Sequence, residues 1–321
     1  MLTVEPTELV ERLRRGERRA LARLLTRVED GSEDVLRDVV RLIHPHTGGS
    51  RLVGITGSPG VGKSTLTNAL VREWRGRGCR VAVLAVDPSS PFSGGALLGD
   101  RVRMQDHALD DGVFIRSMAS RGHLGGLSWA TPQALLVLDA GGFDIVVVET
   151  VGVGQAEVEI ASLADTTVVT VAPGMGDAIQ AAKAGILEVA DVFCVNKADR
   201  DGADRTVREL RDMQHLAAPG EDAEPGWDVP IRKTVAADGR GVAELADAIG
   251  AHHGWLVEHG VLDRRRLDRA RVQLRELALG VVRGRFAAIG DGDLVATLAR
   301  KVADRAVDPY TAADELVASL G

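Results

Sequence analysis

Residues 51–74 decide the fold: Arg51-Leu52-Val53-Gly54-Ile55-Thr56, then Gly57-Ser58-Pro59-Gly60-Val61-Gly62-Lys63-Ser64-Thr65, then LTNALVREW to Trp74. The first six residues have the apolar texture of a strand, and the last run has a helical pattern. Between them lies G-x-x-x-x-G-K-[ST] in full, in the strand-to-helix setting that this motif requires. Its glycines let successive backbone N–H groups turn toward phosphate oxygens with no Cβ in the way. The start of the following helix adds partial positive charge. The pattern predicts a phosphate cradle over Gly57–Thr65, with Lys63 at the β- and γ-phosphates and Ser64 on Mg²⁺.

Outward from this loop, short apolar runs recur: VAVLAV (81–86), GVFIRSM (112–118), DIVVVET (144–150), TTVVTVA (166–172), DVFCVNK (191–197) and VPIRKTVA (229–236). Val146-Val147-Val148 shows no polar alternation, which is how parallel strands read when both faces are covered. Strands alternating with helical stretches predict an α/β P-loop NTPase domain with a mostly parallel central sheet over 51–258. Residues 1–50 read as an N-terminal helical extension. Leu9, Val10, Leu13, Leu21, Leu24, Leu25 and Val28 recur there near a 3.6 spacing, and the many charges read as a solvated face. Gly31-Ser32 breaks that pattern, with Ser32 as the N-cap of the next helix. Residues 259–321 return to Arg/Leu-rich helix.

Apolar residues are 45% of the 321, which excludes disorder as the main state. The formal charge of −7 argues against nucleic acid as the main partner. The two cysteines, Cys79 and Cys194, lack a CxxC or Cys/His neighbour, so neither a disulfide framework nor a zinc site is legible. This usage fits a reducing compartment. The N-terminal stretch is charged and has no apolar core, and no run approaches the ~20 apolar residues of a membrane span. The expectation is a cytoplasmic protein with no membrane partner.

The base is read from Asn196-Lys197-Ala198-Asp199, an N-K-x-D pattern at the end of a later strand. A carboxylate at Asp199 accepts from guanine N1–H and N2–H₂, and adenine offers no such pair. Asn196 either contacts the N7 side of the purine or ties its loop to the phosphate loop. The Lys197 stem packs on the ring. After the next strand come Val235, Ala236 and Ala237, with Val235 where a Ser is usual in GTPases. The Ala236 N–H is expected at guanine O6, and the loop loses a hydroxyl at Val235.

Three acids, Asp87, Asp100 and Glu149, are placed near the γ-phosphate by their positions at or after strand ends. With Ser64 they form the expected Mg²⁺ set, since Mg²⁺ takes hard oxygen ligands and keeps several waters. Lys63 and the three acids are the expected catalytic group. Gly152, in Glu149-Thr150-Val151-Gly152, is expected to offer its N–H to the γ-phosphate, so that loop position depends on GTP or GDP. Gln155 stands three residues beyond that glycine and is not assigned as a water-positioning group. No arginine finger is picked from Arg101, Arg103, Arg116 and Arg121.

GSPGVGKST (57–65), AVDPSSPFSGGALLGDRVRM (85–104), SRGHLGGLS (120–128), ETVGVGQ (149–155), PGMGDAIQAAKAGILEVAD (173–191) and NKAD (196–199) together resemble the methylmalonyl-CoA mutase-associated GTPases, the MeaB/ArgK-like family. The resemblance covers the central domain nearly end to end. It implies a homodimeric G-protein chaperone that binds an adenosylcobalamin-dependent acyl-CoA mutase, gates cofactor loading and protects the mutase. It also implies a third switch loop at 174–188, in which Asp177, Gln180 and Lys183 couple nucleotide state to the partner, and C-terminal helices that form the dimer arm.

Three other classes are weaker. A metallochaperone-type GTPase for another metalloenzyme would want a His-rich tail or a Cys/His pair near the switches, and the eight His are scattered. A small-molecule kinase is disfavoured by NKAD, which does not suit an ATP donor. A membrane-targeting GTPase would want a Met-rich groove, and the five Met are dispersed.

Overall fold

Strand β1 (Arg51–Thr56) lies at the centre of a seven-stranded sheet in the order β3-β2-β4-β1-β5-β6-β7. The structure is a computed structural model, and it describes residues 5–30, 33–87, 107, 109–119, 130–150, 156–174, 189–217, 226–289 and 293–319. The other strands are β2 (Val81–Asp87), β3 (Val113–Ala119), β4 (Ile145–Thr150), β5 (Thr166–Val171), β6 (Val192–Val195) and β7 (Ile231–Lys233). Each of the seven apolar runs became one strand, and every strand pairing is parallel.

The run Ile145–Val148 shows why alternation is missing. Val146 and Val148 enter one core layer with Ala82, Leu84 and Met118, while Ile145 and Val147 enter the other with Val53, Ile55 and Val83. Both faces are buried, so both parities of the strand must be apolar.

The first layer is closed by α1 (Pro6–Arg14), α2 (Arg18–Asp30), α3 (Glu33–Ile43), α5 (Thr131–Ala140) and α6 (Ala156–Leu163). Leu9, Leu13, Leu24, Leu25 and Ile43 are buried there against Leu138 and Phe143. The N-terminal stripe read from the sequence thus shares one core with the sheet, and its charged face is solvated. The second layer is closed by α4 (Lys63–Gly76) and α8 (Val242–Glu258). A third cluster, including Val169, Phe193 and Leu210, packs α7 (Ala203–Ala217) on β5 and β6. Among the four arginines weighed as fingers, Arg116 is described. Its guanidinium lies 2.6 Å from Glu29, joining β3 to α2.

Residues 1–262 form one compact unit and 263–321 a second. In the second, most of the long helix α9 (Val261–Ile289) is followed by α10 (Asp293–Ala303) and α11 (Pro309–Ala318). Asp308 caps α11 by accepting from the Tyr310 and Thr311 amides, with Pro309 at the first helical position. Leu298 and Ala312 are buried in this unit, whereas Leu267, Val272, Leu274 and Val282 on α9 are exposed.

Among the described residues, no helix is long and apolar enough to cross a membrane.

Candidate nucleotide site

Chain connections run from β1 to β2 on one side and from β4 across to β5 on the other, so strand order reverses at β1. In open parallel sheets ligands bind at the carboxyl ends of strands at such a point. The stretch 57–62 leaves β1 there and feeds α4 at Lys63.

Two glycines are required by close approach. Gly57 has φ +134°, and a Cβ on it would lie 2.0 Å from the Thr170 carbonyl oxygen of β5. Gly62 has φ +96°, and a Cβ there would lie 2.6 Å from Asn196 Nδ2. Any side chain would therefore drive the phosphate loop off the sheet or off the N-K-x-D loop.

Lys63 is 6% exposed and directs its ammonium into the loop, donating to the carbonyls of Gly57 (2.5 Å) and Ser58 (3.1 Å). That places a positive charge inside the turn whose N–H groups are suited to phosphate. Ser58 is half-buried, Pro59, Gly60 and Thr65 are exposed, and Val61 is buried and anchors the loop.

Asn196 is the joint of the base side. Its Nδ2 donates to the Val61 carbonyl (2.9 Å), and its Oδ1 accepts from Thr234 Oγ1 (3.1 Å) and from the Ala236 amide (3.1 Å). Of the two roles left open for Asn196, these bonds correspond to tying the loops together. The Ala236 amide, expected at guanine O6, donates here to Asn196, since a buried amide oxygen needs donors. Ala237 follows it, exposed on the same loop. The hydroxyl missing at Val235 is supplied one position earlier by Thr234, which also lies 3.2 Å from Cys194 Sγ. Val235 itself forms an antiparallel bridge with Arg240 that closes the loop.

Lys197 has φ +56°, uncommon for a residue with a Cβ, and its ammonium donates to the Gly60 carbonyl (2.6 Å). Its stem therefore crosses the phosphate loop. Asp199 is exposed at the rim. Arg240 pairs with Asp238 (Nη2–Oδ2, 2.8 Å), which raises its pKa, and the Asp199 carboxylate adds to that. Cys194 is buried beneath, and burial pushes its thiol up to about 12, opposed by the Thr234 bond.

On the other side of β1, Ser64 Oγ donates to Glu149 Oε1 (2.6 Å), and Glu149 is 2% exposed at the end of β4. A hydroxyl and a buried carboxylate at the start of α4 suit a hard cation such as Mg²⁺. Among the described residues no group of three His, Cys, Asp or Glu gathers for a metal. A Mg²⁺ ion that takes its remaining ligands from phosphate and water needs none. Asp87 closes β2, and its side chain lies outside the description. Asp100, Gly152, Asp177, Gln180 and Lys183 also lie outside the described residues.

A parallel sheet whose first strand ends in this phosphate loop, locked to an N-K-x-D loop, defines a P-loop nucleotide hydrolase of the GTPase kind. The chain belongs to the family described as methylmalonyl Co-A mutase-associated GTPase MeaB, whose sequence profile matches residues 21–290. It is similar to a protein of Pyrococcus abyssi (strain GE5 / Orsay) named as a GTPase, with 48% identity over 311 residues, covering 97% of this chain and 95% of that one. It is also similar to the GTPase ArgK of Escherichia coli (strain K12), with 40% identity over 253 residues, covering 75% of this chain and 74% of that one. Among solved structures it resembles one titled a LAO/AO transport system kinase, at a TM-score of 0.70 and 28% identity, covering 100% of this chain and 99% of that one. The chain is a GTPase.

Proposed function

We propose that this GTPase is a cytoplasmic G-protein chaperone for an adenosylcobalamin-dependent acyl-CoA mutase, with methylmalonyl-CoA mutase the first candidate. It gates cofactor loading, protects the mutase and hydrolyses GTP faster when the mutase is bound. The observation that carries this reading is the family match across residues 21–290, whose description names association with that mutase.

In this reading the phosphate loop from Gly57 to Thr65 holds the phosphates, and Lys63 moves its ammonium from the Gly57 and Ser58 carbonyls to the phosphate oxygens. Asp199 accepts from guanine, while Asn196 keeps the base loop and phosphate loop in register. Mg²⁺ is held by Ser64 and Glu149, with Asp87 and Asp100 as further acids, and supplies charge neutralisation at the β- and γ-phosphates. Gly152 reads the γ-phosphate. Asp177, Gln180 and Lys183 couple the nucleotide state to the mutase. The exposed Leu267, Val272, Leu274 and Val282 of α9 support the further proposal that residues 259–321 pair two copies of the chain.

A mutase that prefers one nucleotide state must change nucleotide affinity by linkage, typically by ~1–3 kcal/mol. The test is phosphate release from Mg-GTP with and without a B12-dependent acyl-CoA mutase from the same source. Stimulation is expected, and Lys183→Ala or Asp177→Ala should reduce it while leaving GDP affinity intact. If no such mutase binds or alters turnover, the chaperone reading fails. Phosphate transfer to an added small-molecule acceptor, in place of release to water, would favour a kinase.

A further inference from the structure

The strand amino ends, opposite the phosphate loop, carry a hollow of about 590 Å³ lined by Arg14, Arg15, His46 and Arg80, with Gly16 and the turn at 140–142 as its floor. Its basic side chains come from three separate segments. Arg14 and Arg15 follow from the end of α1, His46 lies in the short turn after α3, and Arg80 immediately precedes β2. No carboxylate lines the hollow.

The guanidinium of Arg80 is fixed and forms no ion pair among the described residues. It donates to the Gly142 carbonyl (2.9 Å) and lies 4.9 Å from the Phe143 ring centroid. Arg14 and His46 form no ion pair among the described residues. Arg15 reaches Glu17 at 3.5 Å, a long and exposed pairing of small value. Three guanidinium groups and an imidazole therefore face a single concavity, with Glu17 beside Arg15 and Asp144 on the Arg80 backbone amide as neighbouring acids.

The concavity is open to solvent, so a small anion can reach these side chains directly. Guanidinium forks match phosphate oxygens in pairs. A single carboxylate would neutralise only one of the three arginines, whereas a chain of linked phosphates neutralises all of them. We propose that this hollow is a second anion site that binds a small polyphosphate, separate from the nucleotide site at the other end of the sheet.

The test uses the full chain saturated with GDP, so that the phosphate loop is occupied, and titrates inorganic tripolyphosphate by calorimetry. One further site is expected, weakening as salt rises. Arg14→Gln combined with His46→Gln should weaken tripolyphosphate by roughly tenfold or more, since charge-assisted hydrogen bonds are lost. Both residues are exposed, so GDP affinity and the circular dichroism spectrum should not change. Arg15→Gln gives an independent second variant with the same expected direction. Absence of any binding to the GDP-saturated chain would overturn the proposal, as would binding that all three substitutions leave unchanged.

Discussion

Replacing Asn196 by Ala removes three bonds at once. The Val61 carbonyl loses a donor at 2.9 Å, and the Ala236 amide and Thr234 hydroxyl each lose an acceptor at 3.1 Å. The site is 2% exposed, so water reaches these groups poorly. Thr234 retains Cys194 Sγ at 3.2 Å, leaving the Val61 carbonyl and the Ala236 amide as the orphans. At ~1–3 kcal/mol for each buried group left unpaired, the expected loss is about 2–6 kcal/mol, falling toward the lower half if a water enters the vacated volume. Urea unfolding with and without Thr234→Val forms a double-mutant cycle. The expected coupling between the two positions is ~0.5–3 kcal/mol, because they share one bond. An Asn196→Ala protein within ~0.5 kcal/mol of the parent would place it among ordinary surface changes and refute the joint.

Other consequences follow from single groups. Lys63→Ala should abolish Mg-GTP turnover in a phosphate-release assay, since positioning and charge neutralisation dominate phosphoryl transfer. Asp199→Asn should shift preference from guanine toward xanthine nucleotides, which competition binding reads directly. Cys79 is half-buried and should react with a thiol reagent in the native protein, whereas Cys194, buried and pushed up to about 12, should react only on unfolding. Asp110 is held below the usual carboxylate range by the two-pronged Arg75 pair and the Gly112 amide. It therefore adds stability above the unfolded value of ~3.9, and that stability is lost as pH falls through the lower folded value. Asp110→Asn should cost ~1–2 kcal/mol at neutral pH, and the gap measured by urea unfolding should close in acid.

The strands and the phosphate loop were legible because each has a local signature. A strand buried on both faces must be apolar at both parities, as in Val146–Val148, and the phosphate loop repeats a fixed glycine spacing between a strand and a helix. Strand order was not legible. The insertion of β4 between β2 and β1 depends on pairings such as Val83↔Val147 and Val53↔Val147, far apart in sequence. The apolar stripe of α1 and α2 was legible, but not its partner, because a helical period names a buried face without naming what covers it. The base side was half legible. N-K-x-D announced itself, whereas the role of Thr234 needs the third dimension, since its partner Asn196 is 38 positions away.

The bonds around Asn196 also divide the site mechanically. Gly57 against β5, Asn196 against Val61, and Lys197 against Gly60 lock the phosphate loop to the base loops. In the proposed site this half meets the base and the phosphates that GDP and GTP share, with Lys63 the residue in it that also reaches the γ-phosphate. A ligand shifts an equilibrium only by its differential affinity for the two states. Beyond Lys63, discrimination in the proposed site then falls on the β2 and β4 side of β1, where Glu149 meets Ser64. It follows that Asn196→Ala should weaken GDP and GTP by similar factors, whereas Glu149→Gln should change their ratio. Calorimetric titration of each variant with GDP and a non-hydrolysable GTP analogue, both with Mg²⁺, separates the two effects. If Asn196→Ala shifted the ratio as much as Glu149→Gln, the locked half would itself be part of the switch, and the division drawn from these contacts would be wrong.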